Sequence, residues 1–330
     1  MAVDDLQWTA KQFRDYINAT NSNIDNMTVS SCFREPDYSD DYKQFYELEK
    51  ELSDGKPLRF ELLSIWRLAR DTDYATWAKS IGPDTCQISF FGMEKTTDWF
   101  YRRTGAFKDA LIATERLLEV GMKPRWQIFL TKKLLPELEE VLHLIDKLRL
   151  RERVRELGSE FQLFMHVPGP DHEGRKIEYL RPTAEEVASL SDEILIPTKK
   201  HLKREVLWHT EGELYKSIME DEQEQPKDEK LTEISQFWLF VTNTWDVYSN
   251  VGTLELWWRL GNLKTDSIQT IMHRFESDEI LGLNILLHFP QSELARLYGD
   301  PGGKKIYTSK VDLLSLYQAQ HCEKISNKTD

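Results

Sequence analysis

A chain of 330 residues, 40% apolar and 30% charged with 10 tryptophans, has a folded protein's composition and length for about two domains. Its formal charge of −13 excludes a general nucleic-acid binder, which needs a basic face for phosphate. No apolar run approaches the ~20 residues that a helix needs to cross a bilayer.

Apolar Leu6, Phe13, Tyr16 and Ile17 recur at helical spacing across 4–19, behind Asp4 and Asp5. This N-terminus has acidic residues and no apolar core segment, so it is not a secretory signal, and the chain reads as cytoplasmic. Met27 to Cys32 is predicted as a short strand that enters a turn-rich loop at Pro36. Tyr42 to Leu52 reads as an amphipathic helix closed by Ser53, Asp54 and Gly55. Leu58 to Ile65 is a predicted strand, Asp71 to Ser80 a helix, and Thr85 to Phe91 a strand after the break at Gly82-Pro83-Asp84. Phe107 to Val120 is a helix stopped by Gly121, Arg125 to Thr131 a strand, Glu137 to Leu150 or beyond a helix, and Phe161 to Val167 a strand.

Such alternation is the pattern of βα units around a parallel sheet. Residues that follow each strand's C-terminal end then gather on one rim, where barrels and open α/β sheets bind ligands. Gly92 to Gly105 reads as one rim loop carrying Arg102 and Arg103.

Beyond residue 180 the pattern changes. Thr183 to Leu195 and His201 to Ile218 are predicted helices. Residues 219–230 (MEDEQEQPKDEK) read as a solvated acidic linker. The remainder, 231–330, is expected to be a smaller unit with one strand at Phe237 to Val241, a turn at Asn243-Thr244 and a helix from Thr265 to Phe275. An aromatic cluster of Trp245, Tyr248, Trp257 and Trp258 is expected to form its core.

The ordered set QISFFG, T-D-x-x-x-R-R-T-G-A-F and L-L-x-x-G-x-x-P-R-W-Q-I-F-L-T-K resembles the fourth-to-fifth-strand region of radical S-adenosylmethionine (radical SAM) proteins. WDVYSNVGTLELWWRLGNLKTDSIQTI is similar to the segment that opens the accessory C-terminal region of many of them. The resemblance covers about residues 27–275 and implies an α/β fold: a partial TIM-like barrel with parallel strands, missing the first strand and cluster loop, over 1–218. A C-terminal accessory region without cluster cysteines follows over 231–330. It also implies S-adenosylmethionine and a 4Fe–4S cluster as cofactors, reductive cleavage to a 5′-deoxyadenosyl radical, and hydrogen abstraction from an unspecified substrate.

Residue by residue, Glu35-Pro36 matches the end of the family's Gly-Gly-Glu-Pro-like turn, which holds the amino group of the cofactor, although both glycines are absent. Ser89 matches a serine on the fourth strand. Arg102 and Arg103 are the candidates to meet the cofactor carboxylate, a task suited to a planar guanidinium fork. The family's CxxxCxxC loop is not present. Cys32, Cys86 and Cys322 are too far apart to replace it, and Asn250 stands where relatives with extra clusters place a ligand. Two explanations fit: a truncated radical SAM protein, or a degenerate relative that keeps the rim as a non-catalytic ligand or partner surface. Either way the chain as given is expected not to cleave S-adenosylmethionine by itself.

Other signals have plainer readings. His166 and His172, with Asp171 or Glu173, follow no regular metal-ligand spacing, and His166 is left as a strand-end residue facing the rim. Cys86 reads as a small buried apolar residue. The charges of Glu137 to Arg155 form a solvated helix face, and the segment near Gly299 lacks the order of a phosphate-binding loop.

Overall fold

A computed structural model of the chain describes residues 2–20, 24, 26–30, 37–53, 61–170, 172–221, 237–249 and 254–327. It is a mixed α/β structure organised on a parallel sheet of three strands. Four helices come first: α1 (Val3–Ala19), α2 (Tyr42–Leu52), α3 (Ile65–Arg70) and α4 (Thr72–Ser80). Then β1 (Thr85–Phe90), α5 (Glu94–Phe100), α6 (Ala106–Glu119), β2 (Lys123–Phe129), α7 (Leu138–Lys147), α8 (Leu150–Glu156) and β3 (Gln162–His166) form two successive βα crossovers. In this sheet β2 is central, and both pairings are parallel.

The outer face of the sheet makes the main core. Cys86, Ile88 and Phe90 of β1, Trp126 and Ile128 of β2, and Leu163 and Met165 of β3 pack against Ala110, Ala113 and Leu117 of α6 and Val141 and Ile145 of α7. This is the period-2 alternation expected of a strand with one face fully buried.

Helices α9 (His172–Lys176), α10 (Ala184–Val187) and α11 (Asp192–Leu202) follow. Helix α11 explains why the sheet stops at β3. The outward N–H of Met165 donates to Thr198 Oγ1 at 3.0 Å, and that hydroxyl donates in turn to the Ile194 carbonyl at 2.7 Å. A buried helix side chain thus caps an edge that a further strand would otherwise use.

The chain continues through β4 (His209–Thr210), α12 (Glu211–Glu220), β5 (Phe240–Val241), β6 (Asp246–Tyr248) and β7 (Arg259–Asn262). After these come α13 (Ile268–Glu276), α14 (Leu281–His288), α15 (Gln291–Tyr298), β8 (Ile306–Tyr307) and α16 (Lys310–Ser326). β5, β6 and β7 form an antiparallel sheet, and β4 pairs antiparallel with β8. Tyr16 of α1 joins a second core with Val247, Trp258, Leu260 and Phe275. Leu214 and Ile218 of α12 share a third with Leu294, Leu313 and Tyr317.

Several expectations need correction. Residues 26–30 form no strand: both backbone groups of Val29 are taken by the hydroxyl of Ser53, at 3.1 and 3.2 Å, while 31–32 lie outside the described residues. Nor do the described residues of the predicted strand Leu58 to Ile65 form one. Glu61 lies beside β1, its carbonyl accepting from Gln87 N at 2.8 Å. Ile65 instead opens α3 because the Ser64 side chain accepts from Arg67 N and caps it.

Gly92 to Gly105 is not a plain loop but contains α5, whose Thr97 hydroxyl accepts from Phe91 N and donates to the Gly92 carbonyl. The predicted helix from Glu137 breaks at Arg149, which adopts φ 54°. His201 to Ile218 is not one helix: Lys203 ends α11 with φ 53°, and Thr210 starts α12 through a capping box with Glu213. The segment 231–330 has three strands of its own sheet and four long helices rather than one of each. Of the predicted acidic linker, Met219 and Glu220 end α12, and 222–230 lie outside the described residues.

Candidate functional site at the sheet rim

The inner face of the sheet differs chemically from its outer face. Gln87 and Ser89 of β1 stand beside Arg125 and Gln127 of β2, in register, and Gln127 and Phe129 stand beside Phe164 and His166 of β3. Gln87 Nε2 donates to Gln127 Oε1 at 2.6 Å, and Ser89 Oγ donates to the same oxygen at 3.2 Å. Arg125 Nη2 donates to Gln87 Oε1 at 2.9 Å and to Glu61 Oε2 at 2.5 Å. Arg125 Nε is buried there without a hydrogen-bond partner.

Toward the strand ends this polar ladder gives way to rings. Phe91 stacks on Phe129 with centroids 4.6 Å apart and planes 6° apart, and on Phe100 at 4.5 Å and 15°. His166 meets Phe129 edge-on at 5.6 Å. Tyr101 packs edge-on against Phe91 at 5.6 Å, and its hydroxyl donates to the Ser89 carbonyl at 3.2 Å. The result is a flat aromatic shelf at the C-terminal rim, with a polar floor behind it. Stacked rings of this kind accept another planar π-system.

Glu137 ties the rim segments together. One carboxylate oxygen accepts from Met93 N and the other from the Thr96 hydroxyl, each at 2.7 Å. A Cβ at Gly92, which has φ +148°, would lie 2.3 Å from Glu137 Oε2. Gly92→Ala is therefore expected to destabilise the fold by about 1–3 kcal/mol through backbone strain and displacement of Glu137, measured as a lowered urea midpoint with an unchanged slope.

The candidate residues have distinct placements. Ser89 sits half-buried on the inner face against Gln127. Arg102 is exposed in the turn that ends α5, with φ 50°. Arg103 is directed to the outer layer, where it forms an ion pair with Asp109 of α6. The same carboxylate also pairs with Arg70 of α3 at 2.9 Å. Ser89 and Arg103 therefore engage different layers. Glu35 lies outside the described residues. Phe91, Phe129, Gln127 and Glu137 were not anticipated. The alternation Arg125, Gln127, Phe129 within RWQIFLT was the available signal for an inner face.

His166 is largely buried, and desolvation holds its imidazole below the usual histidine range; Asp312 opposes that effect, while Arg181 and Arg204 reinforce it. Asp171 and the side chains of His172 and Glu173 are outside the described residues.

A 4Fe–4S cluster does not fit this chain's thiols. Cys86 is fully buried in the main core and Cys322 in the third core. Burial pushes the Cys322 thiol up to about 12, far from the thiolate that ligates iron. Among the described residues no group of three or more His, Cys, Asp or Glu could hold a metal ion, and no helix is long and apolar enough to cross a membrane.

No family model matches the chain, and no curated protein matches it. Among solved structures it is similar to native anSMEcpe with bound AdoMet and Kp18Cys peptide, at TM-score 0.42 and 11% identity, over 87% of this chain and 81% of that one. Native anSMEcpe with bound AdoMet is similar at TM-score 0.42 and 11% identity, over 88% and 81%. Likeness at this level establishes neither a shared fold nor a shared activity.

Proposed function

We propose that this chain is a degenerate radical SAM-type protein, in which a partial TIM-like barrel over 1–218 binds S-adenosylmethionine at its rim without cleaving it. The observation that supports this most is the inner face of the parallel sheet, where a polar ladder runs into a flat aromatic shelf at the strand ends. That is the rim where open α/β sheets take ligands. The shelf of Phe91 and Phe129 offers a stacking surface for a nucleobase. Ser89 and Gln127 offer hydrogen bonds behind it. Arg102 is the guanidinium proposed to meet a carboxylate, and Glu35 the carboxylate proposed to meet an amino group. Arg103, paired with Asp109, is then a structural residue of the α3–α6 seam. Residues 231–330 form the accessory region, joined to the rest through α12, which packs against α15 and α16.

Bound S-adenosylmethionine would supply radical chemistry only with a reduced cluster, whose ligand set the cysteines of this chain do not provide. Binding without turnover is the activity consistent with the residues present. In isothermal titration of the full chain in iron-free buffer, S-adenosylmethionine should bind with a micromolar Kd, methionine much more weakly. Phe129→Ala should weaken S-adenosylmethionine binding by about tenfold, in line with ~1–3 kcal/mol per stacked base, with its circular dichroism unchanged. Absence of binding by the intact chain at millimolar S-adenosylmethionine would refute the proposal.

A further inference from the structure

At the end of β3, beside the aromatic shelf, residues of the α11–β4 connection enclose a cavity of about 140 Å³. Leu202, Leu207 and Trp208 give it apolar walls, His166 and Thr308 contribute polar groups, and Arg204 lines it as well. A space of this size in an apolar lining is enough for a benzene-sized group.

Two features distinguish this cavity from a packing defect. First, its histidine is desolvated and held neutral at pH 7, so it presents one donor and one acceptor rather than a charge. Second, Arg204 is exposed, and its guanidinium has no hydrogen bond or ion pair among the described residues. The neighbouring Arg181 differs: it is buried and consumed by Glu178 at 2.7 Å and by the carbonyls of Ile306 and Pro168. Asp312 acts on His166 from the first turn of α16 but does not line the cavity. The charge offered to an occupant is therefore positive.

We propose that this cavity binds a small carboxylic acid with a ring-sized or branched apolar group, the apolar part seated among Leu202, Leu207 and Trp208 and the carboxylate held by Arg204. This site does not depend on S-adenosylmethionine binding at the rim. Its test uses benzoate, benzamide and benzylamine as probes, titrated into the full chain and followed by NMR shifts of the Met165 methyl group and the His166 ring. Benzoate should bind in the millimolar range, about fivefold more tightly than benzamide, with benzylamine the weakest. Arg204→Ala, a surface change, should bring benzoate down to the affinity of benzamide, and Arg204→Lys should restore part of the difference. Leu207→Trp should fill the cavity and abolish binding of all three. S-adenosylmethionine titrations of Arg204→Ala should match those of the parent chain, which separates failure here from failure at the rim. Benzylamine binding as tightly as benzoate, an Arg204→Ala variant that keeps the preference for benzoate, or no shift with any probe at 10 mM (about the weakest affinity such contacts give) would overturn the proposal.

Discussion

Replacing Trp126 by alanine should cost about 3–5 kcal/mol of unfolding free energy. Trp126 lies on the central strand and is fully buried. Its ring centroid is 4.1 Å from that of Phe90, and its indole N–H donates to Thr114 Oγ1 at 3.2 Å. Alanine would leave a cavity where β1, β2 and α6 meet, and neighbours held on a three-stranded sheet cannot collapse into it. Trp126→Phe should cost much less, because most of the ring volume remains and Thr114 still donates to the Ala110 carbonyl at 2.9 Å. Urea denaturation of both variants checks the order. A shift below about 0.5 kcal/mol for Trp126→Ala, the range of ordinary surface changes, would mean that the outer-face core is wrongly described.

Arg67→Ala should be comparably severe, at about 3–5 kcal/mol, because it removes one partner from a buried charged network. Arg67 is only 5% exposed. Its Nε donates to the Asp37 carbonyl at 2.5 Å, and Nη2 donates to the carbonyls of Tyr38 and Ser39 at 2.8 and 2.9 Å. Nη1 reaches Asp71 at 3.1 Å, and the guanidinium lies 4.6 Å from the centre of the Tyr42 ring. Alanine leaves three carbonyls and a carboxylate without this donor, so 37–41 should also become a cleavage site in limited proteolysis. Arg67→Lys should recover little, since one ammonium cannot replace a fork that serves four oxygens.

Asp71 adds a pH dependence to the same cluster. Partial burial disfavours its charge, but the Asp73 N–H and the Arg67 guanidinium outweigh that and hold its carboxyl below the usual carboxylate value. A folded-state value below the unfolded one contributes stability in full above about pH 4 and loses it as pH falls through the folded value. The stability gap between parent and Arg67→Ala should therefore narrow below about pH 4 in acid titrations of unfolding.

Where a segment carried its own periodicity and its own stop signal, its structure was legible. The α1 and α2 spans, the β1 start after Gly82-Pro83-Asp84 and the end of α6 at Gly121 follow from local pattern and punctuation. The capping boxes Thr183…Glu186 and Thr210…Glu213 were equally visible in the letters, and reading the second would have divided the overlong helix predicted across His201 to Ile218. Met27 to Ser30 and the segment before Ile65 look like strands by composition, but a strand exists only if a neighbour supplies its hydrogen bonds. For Val29 that partner is a serine side chain.

Composition and alternation by themselves determined a βα-alternating chain with a soluble-type charge balance, a buried outer face and a distinct inner one, because both follow from spacing along one segment. Whether Arg103 faces the rim or the α3–α6 seam, which rings stack into a shelf, where α11 ends the sheet and that a cavity opens beside His166 were decided only in three dimensions. Each depends on which distant side chain arrives within hydrogen-bond or van der Waals reach, and Asp109, Phe91, Thr198 and Arg204 come from elements that no local pattern links to their partners.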